Sequence, residues 1–231
     1  MKSNLSEKTR IETDLLGSRE ISCDALYGVQ TLRGIENFQI SNFRLSQYPE
    51  FINGLAITKM AAAIANRQLG VLSEEKEKAI LDACKEILDG KHHDQFPIDM
   101  IQGGAGTTAN MNANEVIANR GLQLMGHEPG EFKYLSPNDD VNCAQSTNDA
   151  YPTAIHIGMW YANKRFIEHY KELIAALRTK AEELKNIVKI GRTQLQDAVP
   201  MTLGQTFNGF ASILEDEIKH IEEAADDFLT V

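Results

Sequence analysis

The sequence predicts a mainly α protein. A small helical N-terminal domain spans residues 1–143, and residues 144–231 begin the long helices of a central helical bundle that they leave incomplete. Two observations carry this. From Pro49 onward apolar residues recur at helical spacing between glycine, proline and serine punctuation. A single helical pattern then runs from Pro152 to about Val188, a helix of about 35 residues and about 50 Å, which needs a bundle to lie in. The domain boundary is placed near residue 144, where short helices give way to the long one.

Residues 1 to 10 are polar and read as a frayed start without a signal peptide. Residues 11 to 48 show no long helical period and read as irregular, with room for a short extended piece in the segment from Gly28 to Phe38. Pro49 suits a first helical turn. After it Leu55, Met60, Ile64 and Leu69 share a face, and Gly70 closes the helix. Ser73 caps a second helix with Ile80, Cys84 and Ile87 on its inner side, and Gly90 stops it. The pair forms a hairpin. His92 and His93, being adjacent, cannot aim both rings at one point from a regular element, and read as surface or packing residues.

The segment Gln102-Gly103-Gly104-Ala105-Gly106-Thr107 then leads into a helix of about Asn110 to Met125 that carries Asn110, Asn112 and Asn114. Glycines permit the tight backbone that turns successive N–H groups toward one point, and a helix start adds a positive end. Residues 131 to 143 form a loop dense in turn formers. Gln145-Ser146-Thr147-Asn148-Asp149 repeats the uncharged polar character immediately before the long helix, whose candidate inner residues include Ile155, Met159, Phe166, Leu173 and Leu184. Gly191 to Pro200 is a further structured loop. A last helix opens at Pro200-Met201-Thr202 and runs to the end of the sequence.

The charge balance, 23 Lys+Arg against 33 Asp+Glu, argues against nucleic acid or an acidic membrane as partner, though a local site can still take an anion. Three cysteines without scaffold or zinc spacing fit a reducing cytoplasm. No apolar run is long enough for a membrane span. Dinucleotide, phosphate-loop, zinc-helix and nucleophile-elbow patterns do not occur. What remains is three polar loops, each feeding a helix, suited to a small polyanion held by neutral donors.

These loops also carry a resemblance. Gly106-Thr107, Asn110-Met111-Asn112 and Asn114-Glu115 resemble the first motif of the fumarase/aspartase superfamily. Residues Ser146 to Thr153 resemble its second, and Gly191 to Ala198 with Pro200 to Gln205 its third. The resemblance covers about residues 10 to 231 and is strongest to the aspartase branch. Fumarases of this class usually carry His where Gln194 stands and Gly-Ser-Gly-Thr where Gly104-Ala105-Gly106-Thr107 stands. It implies reversible anti-elimination of ammonia from L-aspartate to give fumarate, with class II fumarate hydratase or a non-catalytic helical assembly fragment as alternatives. It also implies no required cofactor or metal, with divalent-cation activation open in relatives, and a homotetramer whose subunits share sites. Thr107, Ser146, Thr147 and Asn148 match residues that contact the substrate's carboxylates or amino group. Thr193 and Gln194 match a pair contributed from another subunit.

In that chemistry a base removes a proton beside one carboxylate, which must then receive negative charge, and preorganised donors lower the barrier. Thr107, Ser146 and Thr147 are the implied donors, and Asn148 and Gln194 would hold the amino group. The resemblance places the base on a serine loop of pattern Gly-Ser-Ser-x-Met-Pro, which does not occur in these residues. The catalytic base is therefore expected beyond Val231, and the 231-residue chain alone is expected to be inactive.

Overall fold

The structure, a computed structural model, describes residues 8–230. The frayed start expected for residues 1 to 10 lies mostly outside them. The mainly α expectation holds. The elements are β1 (Thr9–Asp14), β2 (Gly17–Ser22), α1 (Val29–Asn37), α2 (Pro49–Gln68), α3 (Glu74–Leu88), α4 (Thr107–Leu124), α5 (Thr147–Glu183), β3 (Val188–Thr193), β4 (Gln196–Thr202) and α6 (Leu203–Asp226). They fall into two compact units that divide between Gly158 and Met159, within α5.

In the first unit α2, α3 and α4 enclose one core built from Ile52, Leu55, Ile80, Cys84, Ile117 and Leu122, among others. The hairpin punctuation behaves as expected. Ser73 Oγ accepts from the Lys76 N–H at 3.3 Å, and Gly70 and Gly90 turn with φ of +74° and +83°. The inner face of α2 differs from the expected one. Ile64 and Leu69 are exposed, and the buried row is Ile52, Leu55, Ala56, Lys59, Ala63 and Asn66. Leu55 and Met60 of the expected face do reach the core, but two polar residues lie in the buried row, so a search for apolar periodicity alone turns the face partly away from it.

Residues 11 to 48 are more regular than their sequence suggests. β1 and β2 pair antiparallel from Thr9↔Ser22 to Asp14↔Gly17, with Gly17 at φ +108° after the Leu15-Leu16 turn. Both strands are largely exposed, which removes the alternating pattern that would announce them. Where an extended piece was expected, α1 forms instead. Its N-cap is Gly28, which has no side chain to offer, and its first N–H groups are capped from a distance. Glu115 of α4 accepts from Gly28 N at 2.8 Å, Gln30 N at 2.8 Å, Thr31 N at 3.0 Å and Thr31 Oγ1 at 2.6 Å, and Glu12 accepts from Val29 N at 2.9 Å. A helix start closed by carboxylates from elsewhere in the chain leaves no local capping signal.

α2 and the first part of α5 meet backbone to backbone. A Cβ added at Gly54 would stand 2.1 Å from the Ala154 carbonyl oxygen, and one at Gly158 would stand 3.0 Å from the Glu50 carbonyl oxygen. Gly54→Ala is expected to force the helices apart and cost about 1–3 kcal/mol by overpacking. Urea denaturation measures it, and a variant as stable as the parent would contradict the close crossing.

The second unit comprises the rest of α5, the β3–β4 hairpin and α6. Helix α5 has 37 residues, close to the length expected. It begins at Thr147, so Pro152 lies past the first turn and has no N–H to give the Asn148 carbonyl. Beyond Gly158 its buried row is Ile167, Ile174 and Ala181, one residue on from the expected Phe166 and Leu173, which are exposed. The helix carries two adjacent apolar stripes, and α6 covers one. Arg178 reaches Asn208, Ser212 and Glu215 of α6, and a Cβ at Gly204 would meet the Ala181 carbonyl oxygen at 2.4 Å. The loop expected over 191–200 is a hairpin, paired from Val188↔Thr202 to Thr193↔Gln196. The expected start of α6 holds as a capping box. Thr202 Oγ1 accepts from Gln205 N at 3.1 Å while Gln205 Oε1 accepts from Thr202 N at 2.9 Å.

Candidate functional site

The first unit brings the starts of α4 and α5 side by side. The glycine segment does what its composition suggests. Gly104, Ala105 and Gly106 take φ of +72°, +50° and +92° in succession, and α4 begins directly after them. Gly106 has to be glycine for a second reason, since a Cβ there would lie 2.3 Å from the Tyr151 ring of α5. Gln102 closes the turn by accepting from Ala109 N at 2.6 Å. The other helix start is shaped by Ala144 at φ +54° and by Asp149, whose carboxylate accepts from Ser146 N at 3.3 Å. Two helix N-termini together make a region favourable to anions.

Of the expected site residues, Thr107, Ser146, Thr147 and Asn148 are thus gathered in one unit. Thr107, Ser146 and Asn148 are exposed, and Thr147 is half-buried. Their hydrogen bonds give each hydroxyl a direction. Ser146 Oγ accepts from Asn148 N at 3.1 Å, and Thr147 Oγ1 accepts from Asn110 Nδ2 at 3.1 Å. Each therefore has its own proton left to donate. Thr107 departs from the donor role expected of it. Its hydroxyl donates to the Gly104 carbonyl at 2.6 Å and keeps lone pairs for accepting. Thr193 and Gln194 belong to the second unit. There they stand exposed at the tip of the β3–β4 hairpin, with Gln194 at φ +54° in a two-residue turn.

Sequence reasoning missed the support beneath the second loop. Lys59 is fully buried, and its Nζ donates to Asn142 Oδ1 at 2.9 Å and Gln145 Oε1 at 3.0 Å. Both partners are neutral, and burial pulls the Lys59 ammonium down to about 7. Asn66 Nδ2 donates to the Cys143 carbonyl at 2.9 Å. Lys76 reaches both carboxylate oxygens of Asp140, at 2.7 and 2.8 Å, and pins the turn before them. The available signal was positional: Lys59 and Asn66 fall in the same helical row as Leu55 and Ala63. Asn110, in the first motif, is 1% exposed, with Nδ2 bonded to both Asn142 and Thr147.

The adjacent histidines are engaged elsewhere. His92 Nε2 lies 2.9 Å from Glu86, and His93 Nε2 lies 2.8 Å from the Ile87 carbonyl oxygen. Among the described residues no group of three or more His, Cys, Asp or Glu could hold a metal ion, and no helix is long and apolar enough to cross a membrane.

A family model described as "Lyase" matches residues 17–230. Aspartate ammonia-lyase of Pseudomonas aeruginosa is 54% identical over 222 residues, which are 96% of this chain and 47% of that protein. A crystal structure of the fumarate lyase:delta crystallin from Brucella melitensis is similar at 49% identity and TM-score 0.91, covering 96% of this chain and 51% of that one. The same Brucella protein is also known bound to cobalt. A class II fumarase from Schistosoma mansoni aligns at 34% identity and TM-score 0.83, over 96% of this chain and 46% of that one. The chain thus spans about half the length of the relatives it matches. Its helices match the N-terminal portion of their shared fold. The family match across nearly all of its length establishes that this chain belongs to the lyase family, within the fumarase/aspartase superfamily.

Proposed function

We propose that this chain forms the dicarboxylate-holding part of an aspartate ammonia-lyase site, and that the polypeptide carrying it interconverts L-aspartate with fumarate and ammonia by anti-elimination. The observation that carries the reading is hydrogen-bond polarity. Ser146 and Thr147 both accept from protein N–H groups and so present their own protons outward, between two helix N-termini. That is the donor set a carboxylate needs when it takes up charge from the carbon beside it, and it is in place before the charge develops. Thr107, with its proton given to Gly104, suits the amino group as an acceptor, and Asn148 would assist it. Thr193 and Gln194 complete the substrate's surroundings from another subunit of a homotetramer. Three free cysteines fit a reducing, cytoplasmic setting.

These residues bind and orient the substrate. Proton abstraction belongs to a serine-bearing loop of a kind these 231 residues do not include. No metal or other cofactor is required for this part of the chemistry. The likeness to a fumarase keeps hydration of fumarate as a second reading, and Gln194 with Gly104-Ala105 favours the deaminating branch.

Calorimetric titration of the chain with fumarate, L-aspartate and acetate tests the binding claim. Fumarate and L-aspartate are expected to bind well ahead of acetate. Supplying a polypeptide with the serine loop is expected to restore turnover of L-aspartate, followed by fumarate absorbance. Equal binding of acetate would remove the dicarboxylate reading. Turnover of malate in place of aspartate would favour the hydratase, and self-association without ligand binding would favour an assembly role.

A further inference from the structure

We propose that Lys59 is a positioning residue: its buried amine fixes which way the side-chain amides of Asn142 and Asn110 face, and through them makes the Thr147 hydroxyl an outward donor. Only the last link, from Thr147 to a substrate carboxylate, rests on the functional reading above.

A side-chain amide has nearly the same shape in either orientation, so its hydrogen-bond surroundings decide which end is oxygen. Lys59 supplies that decision. Its Nζ brings N–H donors against Asn142 and Gln145, at 2.9 and 3.0 Å, and each must turn its oxygen inward. Asn142 Nδ2 then points the other way and donates to the Gln145 carbonyl at 3.0 Å. With Asn142 Oδ1 fixed, Asn110 must offer it a nitrogen, and does so at 3.1 Å. The second hydrogen of that nitrogen meets Thr147 Oγ1, also at 3.1 Å. Thr147 accepts, and its own proton is left for a ligand. Charged or neutral, the lysine amine keeps at least two N–H groups for its two oxygens.

Asn110 Oδ1 is buried and has no hydrogen-bond partner among the described residues. The oxygens of Asn53, Asn112 and Asn114 are bare in the same way, so what holds Asn110 in this orientation is the cost of reversing it. Reversing Asn110 would set its oxygen against Asn142 Oδ1 and force Thr147 to donate inward.

Lys59→Met and Lys59→Gln test the proposal in the 231-residue chain. The two replacements are alike in length and uncharged, but only glutamine keeps an N–H donor. Side-chain amide signals of Asn110 and Asn142 in a ¹⁵N NMR spectrum are expected to shift or double in the methionine variant and to stay near wild type in the glutamine variant. Fumarate affinity is expected to fall about tenfold in Lys59→Met, the loss of one hydrogen bond to a charged group, with most of it restored in Lys59→Gln. In a Thr147→Val background, Lys59→Met is expected to cost little more, because both changes act on one hydroxyl. Unchanged amide signals, full additivity with Thr147→Val, or unfolding of both Lys59 variants would overturn the proposal. If the parent chain binds no fumarate, the functional reading falls, while the amide signals still decide the orientation claim.

Discussion

Glu115→Leu is expected to cost about 3–5 kcal/mol of stability, because it leaves several N–H groups at the start of α1 without acceptors, each worth about 1–3 kcal/mol when buried. Glu115 is 2% exposed and receives four hydrogen bonds at the start of α1. Burial pushes its carboxyl up to about 7, against the pull of Thr31 and the other donors. All four of its hydrogen-bond partners are donors, so the ionised form is the one the helix end can use. A Cβ at Gly28 would come within 2.8 Å of this carboxylate, so the backbone is already drawn tightly around it. Leucine would leave the Gly28 and Thr31 N–H groups buried, and that of Gln30 half-buried, without acceptors. Denaturant unfolding measures the total, and hydrogen exchange locates it. Protection should be lost first over residues 9–37, while α2 and α3 keep theirs. A cost below about 1 kcal/mol, the worth of one ordinary hydrogen bond, would show that the distant carboxylate does not hold α1.

Thr147→Val is expected to weaken fumarate binding roughly tenfold to a hundredfold with the fold unchanged, because a hydrogen bond to a charged group is worth about 1.5–3 kcal/mol. Valine keeps the shape and removes the donor. It also leaves Asn110 Nδ2 one acceptor fewer, though the nitrogen keeps Asn142 Oδ1. Thr107→Val is the internal contrast. Its hydroxyl proton goes to the Gly104 carbonyl, so its loss should spare fumarate binding and weaken L-aspartate, which alone brings an amino group to be accepted. Titrating both ligands into both variants measures this crossing. Equal effects of the two substitutions on both ligands would show that the polarity of the hydroxyls is unimportant.

Much of the fold was legible because its signals are local. Ser73 and Thr202 cap the helices they precede, and Gly70 and Gly90 end the helices they follow. The unread parts depend on distant partners. Helix α1 borrows its cap from Glu115, more than eighty residues along the chain, and β1 and β2 pair with little burial to pattern them. The same division runs through the site. Thr107 and Ser146 to Asn148 could be singled out because polar residues at helix starts are conspicuous. Lys59 and Asn66 carry a weaker mark, their place in the row of Leu55 and Ala63, because on a helix a buried polar side chain keeps the spacing of an exposed one. Only packing against the 142–145 loop turns them inward.

The claim on which the rest depends is that Ser146 and Thr147 give their protons to a substrate carboxylate. A crystal structure of the chain with fumarate tests it most directly. The expected result is one carboxylate within hydrogen-bonding distance of both Ser146 Oγ and Thr147 Oγ1, with Asn110 Nδ2 still on Thr147. Fumarate bound elsewhere, or bound with the Thr147 hydroxyl turned inward to Asn110, would contradict it.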